Sequence, residues 1–244
     1  KLFGEKTRVS KVDAITQFHM DIAASIQKVT EEIMLTLTRS LKKEFSIPNL
    51  CLAGGVALNC VANGKILENK IFEKIWIQPA AGDAGGSLGA ALAFWHKELK
   101  KERPESPKDE MQGSYLGPSF DDFEIENDLK RLGAKYTKFS ENDILKIAAE
   151  ELSKEKTIGW FQGRMEFGPR ALGARSIIAD PRSNKMQKNL NLKIKFRESF
   201  RPFAPSIIRE DVSKWFELDC DSPYMLLVAN VNKSIRKEMT SEEK

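Results

Sequence analysis

The hydrophobic pattern begins with a helical repeat near the start of the chain. Between residues 21 and 45, apolar side chains recur every three or four residues on one helical face. They are Ile22, Ile26, Val29, Ile33, Leu37 and Leu41. This spacing predicts one long amphipathic helix, which ends before Pro48.

Two strand, glycine turn, helix units follow this helix. In NLCLAGGVALNCVANGKILEN, a buried strand at residues 50–53 leads into Gly54 and Gly55 and then into a helix. The second unit has a strand at 75–77, the loop PAAGDAGG and an apolar helix from Ser87. Consecutive units of this kind predict an α/β layer with a mostly parallel sheet, whose ligands gather at the carboxyl ends of the strands.

Gly54 and Gly55 after the first strand are candidates for a phosphate site, because a strand that ends in two glycines and feeds a helix exposes backbone N–H groups. Neither loop has the dinucleotide-binding GxGxxG pattern or the GK[ST] ending of a Walker loop. Asp83 lies in the second loop between Gly82 and Gly85. Its carboxylate could hold a metal ion or a ribose hydroxyl, or it could cap the following helix, and the pattern leaves both open.

A charged segment with two prolines separates these units from the second half of the chain. Residues 97–112, KELKKERPESPKDEMQ, contain almost no apolar side chains and therefore predict a linker. Ser140 and Asp143 are expected to cap a helix in the second half. The inward-facing side chains of that helix are expected to be Ile144, Leu145, Ile147, Ala148 and Leu152.

The second half is predicted to be an α+β domain whose basic loops share one pocket. The predicted helices are 121–132, 140–154 and 184–192, and the predicted strands are 135–139, 157–161, 176–179, 205–208 and 224–231.

Composition is that of a globular protein, with 41% hydrophobic and 30% charged residues. No apolar run reaches the roughly 20 residues needed to cross a bilayer, so we expect no membrane partner and a cytoplasmic location. The three cysteines have no CxxC spacing, which argues against a disulfide framework or a thiolate zinc site. The first residue is Lys1 and not Met, so we interpret the chain as an excerpt of a longer protein.

Positive charge is concentrated between residues 159 and 209. This stretch holds eleven Lys and Arg residues and three acidic residues, although the net charge of the whole chain is only +4. In GRMEFGPRALGARSIIADPR, the arginines alternate with Gly, Pro and aromatic residues. Guanidinium groups on such preset turns suit planar recognition of phosphate or carboxylate. The alternative from the residues alone is a set of surface arginines that stack on aromatic rings.

These motifs resemble those of the antibiotic and nodulation O-carbamoyltransferases, in which a Kae1-like domain precedes a YrdC-like domain. LAGGVALNCVANGKI and QPAAGDAGGSLGAAL resemble the second half of the Kae1-like ATPase domain, which is of the actin/hexokinase (ASKHA) type. GRMEFGPRALGARSIIADPR and NLKIKFRESFRPFAPSI resemble the YrdC-like domain. The implied fold class is α/β. It consists of a partial ATPase lobe at 1–99, a charged linker at 100–112 and an α+β YrdC-like domain at 113–244, expected to be truncated.

The resemblance implies an O-carbamoyltransferase that acts in two steps. The YrdC-like domain would make carbamoyl adenylate from carbamoyl phosphate and ATP, and the Kae1-like domain would move the carbamoyl group to a hydroxyl of a sugar or secondary metabolite. By this likeness the catalytic residues are Arg170, Lys195 and Arg201. The further substrate-binding residues are Arg175, Arg197 and Arg164. The residues against the nucleotide of the transfer site are Gly54, Gly55, Asn59, Gly85 and Gly86, and the metal ligand there is Asp83.

The implied cofactors are ATP with Mg²⁺ and a divalent metal in the transfer site, iron being one candidate. The family's metal also takes two histidines from an HxxxH motif, which this chain lacks; His19 and His96 do not supply it. Metal binding through Asp83 is therefore expected to be weak or absent. We interpret the chain as a fragment without the N-terminal half of the Kae1-like domain, unable to complete transfer. The expected partners are carbamoyl phosphate, ATP and a hydroxyl acceptor, with no nucleic acid; a homodimer is left open.

Two alternatives from other classes remain. A nucleic-acid-binding module, in particular one for RNA, could use the same basic stretch with its interleaved aromatic residues, and its binding would weaken steeply with salt. A sugar kinase could use an actin-like ATPase fold, but the arginine-rich second half has no place in that scheme.

Overall fold

The structure is a computed structural model that describes residues 3–9, 13–106 and 109–240. By internal contacts it divides into one unit within Lys1–Leu50 and Val61–Trp76, and a second within Cys51–Cys60 and Ile77–Lys244. Its helices are α1 (Gln17–Phe45), α2 (Cys60–Glu68), α3 (Asp83–Ala93), α4 (Asp122–Arg131), α5 (Glu141–Ser153), α6 (Met186–Asn189) and α7 (Val212–Trp215). Its strands are β1 (Asn49–Leu52), β2 (Lys74–Ile77), β3 (Ile158–Phe161) and β4 (Arg175–Ile178).

The long amphipathic helix predicted from the sequence is confirmed as α1. It ends at Ser46, which has a left-handed backbone (φ 53°) and whose N–H donates to the Lys42 carbonyl over 3.0 Å. Thr38 is the one described residue of α1 that is buried, whereas Ile26 and Ile33 are 62% and 54% exposed. The apolar face of this helix is therefore largely uncovered by the described residues.

The core of the first unit lies along α2. Ala62, Asn63 and Ile66 are 0% exposed, and Phe72 is also buried. The Lys42 ammonium lies 5.6 Å from the centroid of the Phe72 ring. A helix as short as α2 is stabilised mainly by such tertiary packing.

The strand predictions at 50–53 and 75–77 are confirmed as β1 and β2, which form a two-stranded sheet. The α/β layer predicted from these two units thus has two strands among the described residues, and the other described sheet, in the second half of the chain, is the antiparallel pair β3 and β4. The chain passes from β3 to β4 without a crossover helix, and parallel neighbours need such a crossover. The described fold is thus mixed α and β with small sheets.

The core of the second unit combines four alanines with six larger side chains, which are spread over loops as well as helices. They are Ala57, Ile77, Ala80, Ala81, Met111, Ala174, Met186, Leu190, Tyr224 and Leu226.

Helix α3 begins four residues earlier than the predicted start at Ser87. Gly82 is its N-cap and Asp83 lies in its first turn, where a carboxylate is favoured by the helix dipole. Gly85 and Gly86 therefore belong to the helix and not to the preceding loop. The predicted helix at 184–192 is α6 followed by a π-helical turn at Leu190–Ile194.

The predicted strands at 135–139, 205–208 and 224–231 are wrong. Tyr136 and Phe139 are 44% and 47% exposed, and no neighbouring strand pairs with their segment among the described residues. In the last segment, the Val228 N–H donates to the carbonyl of Cys60, which lies at the start of a helix. Exposure does alternate along residues 224–227. Among the described residues, however, strand-like pairing of this segment is limited to one isolated bridge between Phe216 and Val231.

The cap of α5 is confirmed, because the Asp143 N–H donates to Ser140 Oγ over 3.2 Å. The prediction that its apolar side chains face inward is wrong for Ile144, Leu145 and Ile147, which are 42%, 50% and 38% exposed. Little of the described chain covers that side of the helix.

None of the described helices combines the length and apolar character needed to span a membrane. The thiols of Cys51, Cys60 and Cys220 are free. The predicted linker is structured at its end, where Tyr224 donates its hydroxyl to Asp109; Pro107 and Lys108 of that linker lie outside the described residues.

Candidate functional site

A cavity of about 360 Å³ lies between the two glycine-containing loops in the second unit. We call it the glycine-loop cavity. Of the residues predicted for the nucleotide and metal of the transfer site, Asn59 alone is not on its wall. The wall consists of Ala53, Gly54, Gly55, Gln78, Ala80, Ala81, Gly82, Asp83, Gly85 and Gly86.

Backbone hydrogen bonds hold the first loop against the second. The Gly54 N–H donates to the Ala81 carbonyl over 2.9 Å, and the Ala57 N–H donates to the Gly54 carbonyl over 3.0 Å. Gly54 has φ 95°, a conformation that costs other residues energy. The turn that follows β1 therefore depends on glycine at this position.

Gly85 is where the second loop packs tightly against the first turn of α3. A Cβ added at Gly85 would lie 2.1 Å from the Ala80 carbonyl oxygen, whereas one added at Gly86 would meet nothing within 4 Å. Neighbouring glycines thus have different roles, since only Gly85 is required by packing.

Asp83 is the single carboxylate on the wall of the glycine-loop cavity, and it is exposed. Within the described ranges, no group of three or more His, Cys, Asp or Glu side chains could hold a metal ion. Resident metals are normally held by several such ligands. The residues present therefore do not form a metal site by themselves.

A second cavity, of about 500 Å³, lies beside the sheet of β3 and β4. We call it the basic cavity. Pairing of the two strands sets Phe161 opposite Arg175, and Arg175 and Lys195 are the two predicted cations on the wall. The wall consists of Gly159, Trp160, Phe161, Pro169, Ala171, Arg175, Ser176, Ile177 and Lys195.

Arg164 and Arg170 bind backbone carbonyls of other segments. Arg164 Nε donates to the Gly117 carbonyl over 2.9 Å. Arg170 Nη2 donates over 3.2 Å to the carbonyl of Leu58, at the end of the 3₁₀ turn Gly55–Leu58. Arg170 Nε is buried without a hydrogen-bond partner among the described residues. These two arginines therefore tie the basic stretch to other loops.

Arg197 and Arg201 are held within their own loop. Arg197 Nε donates to Asn191 Oδ1 over 2.6 Å, and its guanidinium lies 4.9 Å from the centre of the Phe203 ring. Arg201 Nε donates to Glu198 Oε2 over 2.8 Å. The six predicted cations are thus not gathered at one wall.

The turn that begins at Gly168 packs near a wall residue of the glycine-loop cavity and leads into wall residues of the basic cavity. A Cβ added at Gly168 would lie 3.3 Å from the Pro79 carbonyl oxygen and 3.6 Å from Cα of Ala80, a wall residue of the glycine-loop cavity. The next residues, Pro169 and Ala171, line the basic cavity. One short segment therefore lines the basic cavity and packs against Ala80 of the glycine-loop cavity.

The electrostatics of this segment depend on Glu166. Burial of Glu166 raises its pKa. Hydrogen bonds donated by backbone N–H groups, among them those of Leu172, Ala174 and Arg175, lower the pKa, and their combined effect is the larger one. The pKa of Glu166 therefore lies below its ordinary value, so the buried carboxylate is ionised at neutral pH.

Both halves of the chain match models of one family. Residues 1–92 match the carbamoyltransferase N-terminus, and residues 149–242 match the carbamoyltransferase C-terminus. The chain belongs to the carbamoyltransferase family.

Relatives of this carbamoyltransferase chain are much longer than the chain itself. An uncharacterized protein of Synechocystis is 56% identical over 99% of this chain and 40% of its own length. Nodulation protein NolNO of Sinorhizobium fredii is 43% identical over 91% of this chain and 32% of its own length. Nodulation protein NolO of Bradyrhizobium diazoefficiens is 43% identical over 90% of this chain and 40% of its own length. The chain spans less than half the length of these relatives.

Two buried polar residues of the carbamoyltransferase chain were not predicted from the sequence. Glu166 has a weak signal, because it is the one acid between Arg164 and Arg175 in a basic stretch. Asn191 has none, because its burial and its bond to Arg197 arise only when the π-helical turn brings them together.

Proposed function

We propose that this carbamoyltransferase makes carbamoyl adenylate from carbamoyl phosphate and ATP, and that the carbamoyl group then passes to a hydroxyl of a sugar or secondary metabolite. The observation that supports the first step is the wall of the basic cavity, which combines Arg175 and Lys195 with Trp160 and Phe161. Carbamoyl phosphate and ATP together present several negative charges and one aromatic base. Cations and aromatic rings are the side chains that bind such groups.

In the proposed first step, water cleaves carbamoyl phosphate to carbamate and phosphate. A carbamate oxygen then attacks the α-phosphorus of ATP, forming a C–O–P linkage while the bond to pyrophosphate breaks. Arg175 and Lys195 hold the two anions together and offset the charge that gathers as pyrophosphate leaves. Mg²⁺ enters with ATP as its counter-ion.

Arg170 and Arg201 keep a substrate-binding role in this proposal, although each already has a protein partner. A guanidinium carries five N–H donors, and each of these residues uses one nitrogen for the contact described above. The donors proposed to meet phosphate oxygens are those of the terminal nitrogens, because Arg170 Nε is buried and Arg201 Nε is bonded to Glu198. Arg164 and Arg197 are proposed to support substrate binding by fixing the loops around the basic cavity.

The glycine-loop cavity is proposed to receive the carbamoyl adenylate for the second step. The first turn of α3 favours an anion by its dipole, and Gly54 and Gly55 leave room for close approach to the backbone. The Gly168 turn, which lines the basic cavity and packs against Ala80 of the glycine-loop cavity, is the proposed link between the two sites. No step of the proposal uses a metal held by the described residues.

The test is pyrophosphate formation by the purified protein with ATP and carbamoyl phosphate. Arg175→Ala and Lys195→Ala should each lower the rate by about 100-fold, the size seen when one charge-stabilising group is removed. Arg182→Ala is the matched control, because Arg182 belongs to the same stretch but ion-pairs with Asp180 and is not on the cavity wall.

Wild-type protein that forms no pyrophosphate in response to carbamoyl phosphate would overturn this function. Full activity in Arg175→Ala would do the same. The RNA-binding alternative predicts instead that single-stranded RNA binds, that Arg175→Ala weakens that binding, and that carbamoyl phosphate has no effect.

A further inference from the structure

Glu166 is a buried carboxylate around which a loop of the basic stretch is folded. Its side chain is 0% exposed. Its Oε1 accepts the backbone N–H of Leu172 over 2.6 Å, of Ala174 over 2.9 Å and of Arg175 over 3.3 Å. Three donors that converge on one oxygen fix the path of the chain from the Gly168 turn into β4.

The second carboxylate oxygen has a different role. Glu166 Oε2 is buried and has no hydrogen-bond partner among the described residues. The nearest cation is Arg175, whose Nε lies 3.9 Å away, beyond hydrogen-bonding distance. The Arg175 side chain is 43% exposed and lies on the wall of the basic cavity. Glu166 thus attracts this guanidinium without using any of its N–H donors.

We infer that Glu166 is a positioning residue for the basic cavity, which sets the backbone before β4 through Oε1 and orients the Arg175 guanidinium through Oε2. The inference rests on the proposed function, in which Arg175 holds the anionic substrates. A guanidinium held by charge alone keeps its N–H groups for those substrates. A direct hydrogen bond, such as that between Arg201 and Glu198, occupies a donor instead.

The substitution Glu166→Gln separates this role from simple support of the loop. A glutamine carbonyl can still accept the three backbone N–H groups, so the loop should keep its path. Its NH₂ group would replace Oε2 beside Arg175, and attraction would become repulsion. Glu151→Gln is the matched control, because Glu151 is a half-buried carboxylate that pairs with Lys154 and Lys156 and is not on the cavity wall.

The experiment measures KM for carbamoyl phosphate in pyrophosphate formation, for wild type, Glu166→Gln, Arg175→Ala and the double variant. Glu166→Gln should raise KM about 10-fold with a much smaller change in kcat, as expected for lost substrate binding. In the Arg175→Ala background it should change KM by less than about 2-fold, because coupled residues do not give additive effects. Glu151→Gln should match wild type.

A purely structural Glu166 would give losses that multiply in the double variant, and that result would overturn the inference. An unchanged KM in Glu166→Gln would overturn it as well. If Glu166→Gln fails to fold, Glu166→Asp is used instead, because its side chain is one methylene shorter and moves the carboxylate away from Arg175. The KM measurements are then repeated with Glu166→Asp alone and combined with Arg175→Ala.

Failure of the proposed function is distinguished by a second readout. If wild type forms no pyrophosphate, wild type and the same three variants are titrated with inorganic pyrophosphate by calorimetry. Glu166→Gln should then weaken pyrophosphate binding about 10-fold, and only when Arg175 is present. Equal weakening in both backgrounds would show that Glu166 does not act through Arg175.

Discussion

At the scale of single residues, the glycine-loop cavity depends on a glycine whose lack of a side chain lets two backbone segments pack closely. Gly85 sits against the Ala80 carbonyl, and Gly86 beside it faces open space. Both are glycines in the first turn of one helix, so their difference arises from packing and not from helix propensity.

Gly85→Ala should lower the free energy of unfolding by about 1–3 kcal/mol, the usual cost of forcing an extra group into a packed site. Gly86→Ala should raise it by about 0.5–1 kcal/mol, because alanine restricts the unfolded chain and suits a helix. Urea unfolding of both variants checks this. Equal effects at the two positions would contradict the close contact with Ala80.

Tyr224 makes a second prediction at this scale. Burial, together with its hydrogen bond to Asp109, raises the pKa of Tyr224 from its ordinary value near 10 to about 12. The folded protein therefore keeps a phenolic proton that the unfolded chain loses. This contribution to stability is complete below pH 10 and is lost as the pH rises through about 12.

Tyr224→Phe should lower the free energy of unfolding by about 1–2 kcal/mol at neutral pH, since the hydroxyl contacts with Asp109 and Gly113 are lost. The difference from wild type should shrink between pH 10 and pH 12. The control is Tyr136→Phe, at a side chain that is 44% exposed. A difference that stays constant over this pH range would contradict the prediction.

The chemical role of a stretch could be predicted from its residue types, but the contact partners of its side chains could not. The spacing of arginines with glycine and proline predicted an anion-binding stretch. Nothing in that spacing says that Arg170 reaches the Leu58 carbonyl or that Glu166 collects three backbone N–H groups, because the partners lie far apart in sequence or are backbone atoms. Such contacts exist only after the loops have folded.

At the scale of elements, the loop after α6 shows how one buried side chain can hold a whole segment. Asn191 is 0% exposed. Its Nδ2 donates to the carbonyls of Ser199 and Arg201 over 3.1 and 2.8 Å, and its Oδ1 accepts from Arg197. The loop that presents two predicted substrate-binding arginines is therefore closed on this amide.

Asn191→Ala should lower the free energy of unfolding by about 2–4 kcal/mol, because three hydrogen bonds are lost and buried carbonyls are left without donors. Asn189→Ala is the control, since Asn189 lies nearby in α6 and is exposed. Thermal unfolding measures both. A change of similar size in the two variants would argue against the buried amide as the centre of the loop.

Helices with local capping signals were predicted well, whereas of the seven predicted strands four are found as β1 to β4 and three are not found in the described part of the chain. Helix α5 begins at the predicted cap because Ser140 and Asp143 are three residues apart and bond to each other. The segment 135–139 is predicted as a strand from its aromatic and β-branched residues, but no neighbouring strand pairs with it among the described residues. A strand is stable only with a neighbour, and residue types do not identify one.

At the scale of the whole molecule, hydrophobic patterning located the amphipathic helices but not what covers them. Ile33 on α1 is 54% exposed, whereas Ile66 on α2 in the same unit is 0% exposed. Both are isoleucines in helices that the sequence predicts. The sequence therefore gives no means to rank them, although their environments are opposite.

This contrast gives a prediction for the chain as a whole. Ile33→Glu should change the free energy of unfolding by no more than about 0.5 kcal/mol, as for other surface substitutions. Ile66→Glu should lower it by about 4 kcal/mol or more, because it places an unpaired charge in the core. The measurement is urea unfolding of both variants at the same protein concentration. If Ile33→Glu is as damaging as Ile66→Glu, the apolar face of α1 is covered in solution, and the exposed surface described for the first unit is wrong.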